Sequence, residues 1–363
     1  MPAFQAPPVA ITTVILLQDD RFKLNGVLPE IASLALAGAQ CLKITTQSTR
    51  RAALSTHSLH ELLTTSPNVS RLDIFPLGAY TPNFVSGPSD EDARQAYCRL
   101  RRVSLQDNLQ WTLLDSLLRH AHDLEELTIG SMVRFRGGTW PVSSSLPRLR
   151  VLRVNSLLAA YETTILAPLK SIILNSVKTL TELSLHIELA DRALLDSLSN
   201  AENFAQENRI VHLKLTTQLF DEILSACNNL QICAAATQAM KEASTAAHFL
   251  RTCTRVRYLH FRGIAARHLH DISRDFPLGL RILSADMHVC QPANELITFD
   301  WASLFDGELG TMDNVRNLSI AFMDPDNEEH YIMTPSSNEL RSQCSKRRIS
   351  LEDWGPRDGL LET

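Results

Sequence analysis

The chain has 363 residues, enough for two or three ordinary domains or for one elongated repeat domain. Its 44% hydrophobic and 21% charged residues are typical of a folded protein and exclude a mostly disordered chain. The 35 basic and 40 acidic side chains give a net charge of −5, which excludes a globally basic nucleic-acid binder but not a local basic patch.

The sequence shows no sign of export or of membrane insertion. The amino terminus lacks the basic start and long apolar core of a signal peptide. The most apolar stretch, residues 10–17, is much shorter than the roughly 18 residues that a membrane span needs. Seven scattered cysteines with no Cys-x-x-Cys pair indicate reduced thiols rather than a disulfide framework. We therefore expect an intracellular protein, cytoplasmic or nuclear, with no membrane partner.

One short pattern recurs along the chain: an apolar residue, two others, a second apolar residue, one other, and a third apolar residue. Clear copies begin at Leu124, Leu149 and Leu180. Because alternate side chains of a strand share one face, each copy predicts a short, half-buried strand. The middle apolar residues of the copies fall at positions 14, 42, 72, 103, 127, 152, 183, 213, 233, 259, 283, 318 and 349. Their mean spacing is about 28 residues, near the periods of about 20–29 that mark leucine-rich repeats.

Helical patterns lie between several of these strands. Leucines and alanines recur at three- and four-residue intervals in residues 54–63, 109–118 and 189–198, which predicts a helix with one buried face in each segment. Short polar or proline-containing turns, such as residues 66–68 and 145–147, precede the following strand.

Strand–helix units at this period resemble the leucine-rich-repeat solenoid over residues 11–351, and more narrowly the degenerate repeats of ribonuclease-inhibitor-like folds and fungal F-box-like proteins. The resemblance implies an α/β fold: a right-handed horseshoe of about 12–13 irregular repeats, with a parallel concave sheet and convex helices. The family's Asn or Cys after each strand is matched only by Asn108, so we expect irregular turns. A doubly wound α/β domain is the alternative, disfavoured because such folds rarely need thirteen units.

We expect residues 1–354 to form a single solenoid domain, with a frayed tail at 355–363. Exposed insertions are predicted near 76–96 and 130–147, and a solvated acidic loop at 324–329, because Pro, Gly and acidic residues concentrate there. Residues 28–31 echo the opening of an F-box, but the segment that follows fits a convex helix, so no F-box is predicted.

The sequence lacks the common motifs of catalytic and cofactor-binding sites. The sequence contains no phosphate-binding glycine loop, no Gly-x-Ser-x-Gly elbow and no His-Glu-x-x-His helix, so no catalytic residue, cofactor or metal is predicted. The pairs His268/His270 and His288/Cys290 come nearest to zinc-ligand spacing, but we interpret them as surface histidines and core cysteine. The basic run 346–348 is too short to indicate a nuclear signal.

The repeat register predicts which side chains point into the concave face, where the resemblance implies that protein partners bind. An apolar strip at residues 232–236 is expected between the strands that begin at positions 212 and 258. The predicted partner-binding residues are His212, Lys214, Tyr258, His260, Arg262, Arg153, Glu182 and His186.

The predicted function is a non-enzymatic scaffold that binds a protein partner. The resemblance further implies a substrate receptor in ubiquitin ligation, which would bind a ubiquitin-ligase adaptor. Two alternatives remain open: a metal-assisted enzyme with its site in the loops, and an RNA-binding solenoid. Nucleic acid is not the favoured partner, and no oligomeric state is predicted.

Overall fold

Contacts between Cα atoms divide the chain into unit 1, Met1–Ser176, and unit 2, Val177–Thr363. That residues 1–354 form a single domain stays a prediction. The structure, a computed structural model, describes residues 13–18, 38–46, 56–76, 90–105, 117–129, 146–154, 163–187, 191–217, 244–265, 269, 272–288, 305, 312–324, 327–332 and 338–352.

Unit 1 is built from parallel strands that pair in chain order, with helices in the connections. The strands are β1 (Thr13–Gln18), β2 (Cys41–Thr46), β3 (Arg71–Pro76), β4 (Arg102–Leu105), β5 (Glu126–Ile129) and β6 (Val151–Val154). The helices are α1 (Thr56–Thr65), α2 (Asp90–Tyr97) and α3 (Thr163–Asn175).

Unit 2 repeats this arrangement and adds an antiparallel strand. The strands are β7 (Glu182–Ile187), β8 (His212–Thr217), β9 (Tyr258–Ala265), β10 (Ile282–His288), β11 (Asn317–Asp324), β12 (Asn327–Ile332) and β13 (Ser350–Glu352). The helices are α4 (Asp191–Ser199), α5 (Glu202–Glu207) and α6 (Asn338–Arg347), and residues 244–252 are also helical. Strands β7 to β11 pair parallel in chain order, and only β12 runs antiparallel among the described strands.

The middle apolar residue of each repeat lies opposite the middle apolar residue of the next. In unit 1 Leu42 pairs with Leu72, and in unit 2 Leu183 pairs with Leu213. All four side chains are at most 2% exposed, so within each unit the strands share one buried apolar face. Burying that face is the main driving force for stacking, because a single repeat cannot remove it from water alone. The predicted α/β repeat architecture is confirmed.

A recurring backbone hydrogen bond fixes this register. In eight repeats the carbonyl oxygen just before the strand accepts from two successive amides of the next repeat; Thr181 O, for example, accepts from Val211 N at 2.8 Å and from His212 N at 3.0 Å. In these repeats the two backbone amides at the amino end of the next strand therefore both have an acceptor. The other carbonyls that accept such a pair belong to Gln40, Ser70, Arg101, Glu125, Val211, Arg257 and Arg281.

The strand predicted around position 233 does not lie between its expected neighbours. Strands β8 and β9 pair directly, with Leu213 opposite Leu259, so the expected apolar strip at 232–236 does not separate them. Two of the three apolar residues in that copy, Cys233 and Ala235, are small and bury less apolar area than a leucine layer. Residues 218–243 lie outside the described part of the chain.

The predicted exposed loop at 76–96 is wrong for its last third. Residues from Asp90 form helix α2, which buries Ala93, Ala96 and Tyr97. These positions are three and four residues apart, so they share one helix face. Residues 77–89, and 130–145 of the second predicted insertion, lie outside the described residues.

The acidic loop predicted at 324–329 is wrong at both of its ends, because Asp324 lies in β11 and 327–329 lie in β12, while residues 325–326 are outside the described part of the chain. Strand β12 begins at Asn327 and runs antiparallel to β11, with Met323 opposite Tyr331. Strand β13 pairs with the beginning of β11, and the partner of Leu318 is Leu351 rather than the expected Ile349. The two short strands cover different parts of one edge of β11.

Candidate partner-binding surface

Each strand turns its non-core side chains to the side opposite the buried leucines, which we call the outer sheet face. In unit 2 Glu182, His212 and Tyr258 lie side by side at the first strand position, while Ser184, Lys214 and His260 lie side by side at the third. Parallel strands are about 4.8 Å apart, so neighbouring side chains in each row can touch.

The rings of His212 and Tyr258 stack on one another. Their centroids are 4.2 Å apart and their planes differ by 1°. Direct pairing of β8 with β9 makes this contact, which the predicted intervening strip would have prevented. Tyr258 remains 37% exposed and is one of only two large apolar side chains exposed among the described residues, the other being Leu278.

The stacked imidazole is less cationic than the sequence suggested. Burial lowers the pKa of His212, and the carboxylate of Glu182 opposes this effect only in part. An unperturbed histidine titrates near 6.5, so a lowered pKa favours the neutral form of the His212 ring at pH 7. Among the described side chains of this face, Lys214 carries a positive charge beside the stack and is half-buried.

A further pair lies on the neighbouring strands. Nε2 of His260 lies 3.4 Å from Oδ2 of Asp286, and both side chains are largely shielded from solvent. We name His212, Lys214, Tyr258, His260 and Asp286 the stacked-ring patch. The alternation of β10 predicted Asp286 on this face, but the set of predicted partner-binding residues did not include it.

The structure describes the other predicted contact residues only in part. His186 lies in β7 and Arg262 in β9, but their side chains are outside the described part of the structure. Arg153 lies in β6 of unit 1, where it is half-buried on the outer sheet face. Glu182 adjoins His212 in the first row, on the strand that flanks the stacked-ring patch opposite β10.

The outer sheet face of unit 1 is largely neutralised by its own charges. Arg102 Nε lies 3.2 Å from Oε1 of Glu126 on the next strand, and Arg71 Nε donates to Oδ2 of Asp73 at 2.9 Å. The ammonium group of Lys43 lies 4.8 Å from the centre of the Phe75 ring. Opposite charges at one register position were the sequence signal for the cross-strand pair.

Titration of His212 is expected to report the stacked environment. We expect its pKa, followed by NMR of the ring protons, to lie below the ordinary value because stacking on Tyr258 removes water from the imidazole. Glu182→Gln should lower the pKa of His212 further, since the carboxylate favours the imidazolium. Glu207→Gln, a control that removes a charge paired with Lys178, should leave it unchanged. An ordinary pKa in the wild type would contradict the stack.

The described residues contain no group of three metal-binding side chains and no helix long and apolar enough to cross a membrane. His268, His270 and Cys290 lie outside these residues, as does the side chain of His288. In the basic run 346–348, Arg347 stacks on Phe305, with its guanidinium carbon 5.3 Å from the ring centre.

No protein-family model matches the chain, and no curated protein matches it. Among solved structures, the chain is similar to the leucine-rich repeat-containing protein LegL7 of Legionella pneumophila at 12% identity and TM-score 0.43, over 93% of this chain and 97% of that one. A leucine-rich repeat protein of Leptospira interrogans is 11% identical at TM-score 0.29, over 91% and 94%. The TLR13–ssRNA13 complex is 12% identical at TM-score 0.38, over 94% and 35%. With its in-register strands and shared turn hydrogen bonds, the chain has the leucine-rich-repeat solenoid fold.

Proposed function

We propose that the chain is a non-enzymatic scaffold that binds a protein partner on the outer sheet face of unit 2. The observation that carries this proposal is the stacked pair His212–Tyr258, which leaves a large aromatic side chain exposed on a regular sheet. Tyrosine is among the residues that contribute most to protein interfaces. Because the stack already fixes both rings, little side-chain entropy remains to be lost when a partner binds.

The surroundings of the stack suit a protein partner. Ile282 extends the first row beside Tyr258 and adds apolar area, while Lys214 and Asp286 offer one charge of each sign. An aromatic and apolar centre with polar groups around it is the usual composition of a protein interface. A stable complex would bury about 800 Å² on each partner, so residues beyond the stacked-ring patch would also be covered.

We further propose that this scaffold is a substrate receptor in ubiquitin ligation. The support is the repeat pattern itself, which resembles the degenerate repeats of F-box-like proteins; the proposal is therefore an analogy of family. Direct binding of a purified ubiquitin-ligase adaptor to the full chain, measured by calorimetry, is the expected result. Absence of binding at adaptor concentrations well above physiological would remove this role and leave the scaffold proposal in place.

The scaffold proposal is tested with a triple variant, His212→Ala/Lys214→Ala/Tyr258→Ala. Wild type and variant are used for affinity purification with quantitative mass spectrometry, and the partner found is then titrated. We expect at least about tenfold weaker binding, or a loss of about 1.4 kcal/mol or more, because the aromatic anchor is removed.

The matched control lies on the outer sheet face of unit 1: Ser104→Ala/Thr128→Ala/Val151→Ala, three half-buried positions in neighbouring strands. Both variants must melt as the wild type does. Retention of every partner by both triple variants would disprove binding through the stacked-ring patch.

A further inference from the structure

Three arginines stand in line at the amino ends of neighbouring strands in unit 2. Arg257 directly precedes β9, Arg281 precedes β10 and Arg316 precedes β11. All three arginines are exposed. Their backbones are joined: Arg281 N donates to Arg257 O at 2.8 Å, and Arg316 N donates to Arg281 O at 2.7 Å. We name these three residues the arginine edge.

The carboxylates within the described part of the chain do not balance the charges of the arginine edge. Among the described residues neither Arg257 nor Arg281 forms an ion pair, and Nη1 of Arg316 donates to a backbone carbonyl, that of Asp313, at 3.3 Å. Arg255, two residues before Arg257, is exposed as well and adds to the positive charge. The edge is therefore strongly basic in a chain whose net charge is −5.

The same positions in unit 1 carry charges of alternating sign. There the residue before the strand is Arg101, then Glu125, then Arg150, so the sign alternates from one repeat to the next. Nη1 of Arg101 lies 3.9 Å from Oε1 of Glu125, and a second inter-repeat pair joins Arg148 to Asp123 at 2.9 Å. Unit 1 thus shows that this fold can pair charges across these turns, and unit 2 does not do so at the arginine edge.

Like charges on adjacent strands repel, because neighbouring strands are only about 4.8 Å apart. An anion bound across the three guanidinium groups would remove that repulsion. Arginine's planar fork fits carboxylates in two-point geometry, and side chains on a hydrogen-bonded edge present that geometry at fixed intervals. These are properties of a recognition surface for an acidic chain.

An exposed leucine lies in the turn that leads to Arg281. Leu278, in the turn before β10, is 64% exposed, and its carbonyl accepts a 2.8 Å hydrogen bond from Asn314 Nδ2 in the next repeat. This bond ties the backbone of the turn to the next repeat, and the apolar side chain projects from that turn. The phosphate backbone of a nucleic acid has no apolar group to place on Leu278, whereas an acidic peptide can place an apolar side chain there.

We propose that the arginine edge, with Leu278, binds an acidic extended segment of a protein partner. The inference that the partner is a protein rests on the proposed function. The inference that its segment is acidic rests on the arginine edge itself. The segment would place carboxylates on Arg257, Arg281 and Arg316 and an apolar side chain on Leu278.

The test uses the full chain and a fluorescent peptide of glutamates with one central leucine, titrated by anisotropy at low and at physiological salt. The decisive variant is Arg281→Glu, which recreates the alternation that unit 1 has at Glu125. We expect at least about tenfold weaker peptide binding and a shallower salt dependence. The melting temperature should not fall, since the new carboxylate would lie between Arg257 and Arg316. An unchanged melting temperature distinguishes a loss of binding from a loss of folding.

The control is Arg94→Glu, which changes the net charge by the same amount at an exposed site on helix α2. Equal losses in both variants, or no loss in Arg281→Glu, would overturn the proposal. So would a labelled oligouridylate that binds more tightly than the peptide and depends on Arg281. The triple variant of the stacked-ring patch should still bind the peptide, so failure of the sheet-face proposal and failure of this one give different results.

Discussion

Leu183→Ala is expected to lower the free energy of unfolding by about 2–5 kcal/mol, the usual cost of a leucine removed from a packed core. Leu183 is 0% exposed and lies opposite Leu213 in the sheet. The layers on either side are held by regular strand pairing, so the cavity cannot close fully by relaxation. Because each repeat is stabilised by its neighbours, the loss will weaken the adjoining layer as well. Urea unfolding followed by circular dichroism measures the change.

Leu278→Ala is the matched control for this prediction. It is the same chemical change in the same unit, at a side chain that is 64% exposed. Surface substitutions usually change stability by less than about 0.5 kcal/mol. Similar costs for the two variants would show that the register of buried leucines does not carry the stability of unit 2.

Tyr97→Phe is expected to cost about 1–3 kcal/mol, because the variant keeps the ring but removes a buried hydrogen bond. Oη of Tyr97 lies 2.6 Å from Nε2 of His60, and the two side chains are 0% and 4% exposed. The bond joins helix α2 to helix α1 of the preceding repeat. Their rings also pack edge to face, with centroids 4.9 Å apart. Denaturant unfolding of the full chain measures the loss.

Two further measurements isolate the hydrogen bond. Replacing both partners, as His60→Leu/Tyr97→Phe, should recover much of the loss, since no polar group is then left without its partner. Burial raises the pKa of Tyr97, so the folded phenol stays neutral where the unfolded one ionises. Stability of the wild type should therefore fall above about pH 10, and this fall should be smaller in Tyr97→Phe. An unchanged pH profile in the variant would mean that Tyr97 is not the titrating group.

The repeat register could be predicted from sequence because it depends on a local rule. A strand that is buried on one side must alternate, and Leu72, Leu127 and Leu183 stand at matching places in their strands. The period between copies then leaves room for a helix and two turns, which excludes most other α/β architectures.

Features that depend on contacts between distant segments could not be predicted in the same way. The pairing of Tyr97 with His60 joins residues 37 positions apart. The helix that carries Tyr97 follows a stretch rich in proline and glycine, which is typical of a loop. The antiparallel strand β12 resembles an acidic loop in sequence because its amino-terminal half, Asn327 to Glu329, is polar. Polar composition predicts exposure, but an edge strand can be exposed and still be paired.

The candidate binding surface was predicted in composition but not in geometry. The outer positions of Lys214, His260 and Tyr258 followed from alternation alone. The stack of His212 on Tyr258 could not be foreseen while a strand was expected between them. The charge alternation of Arg101, Glu125 and Arg150, and its loss at the arginine edge, could have been read from sequence by aligning the residue before each strand.

The two short strands on β11 limit how the sheet of unit 2 can grow. A parallel edge with unpaired amides and carbonyls is a template on which a strand from a second molecule can add, the first step toward swapped or fibrous aggregates. On β11, Asn317 to Ser319 are paired with β13, and Phe322 to Asp324 with β12, which runs in the opposite direction. An incoming strand would have to displace both, so self-association through this edge has to begin with local unfolding.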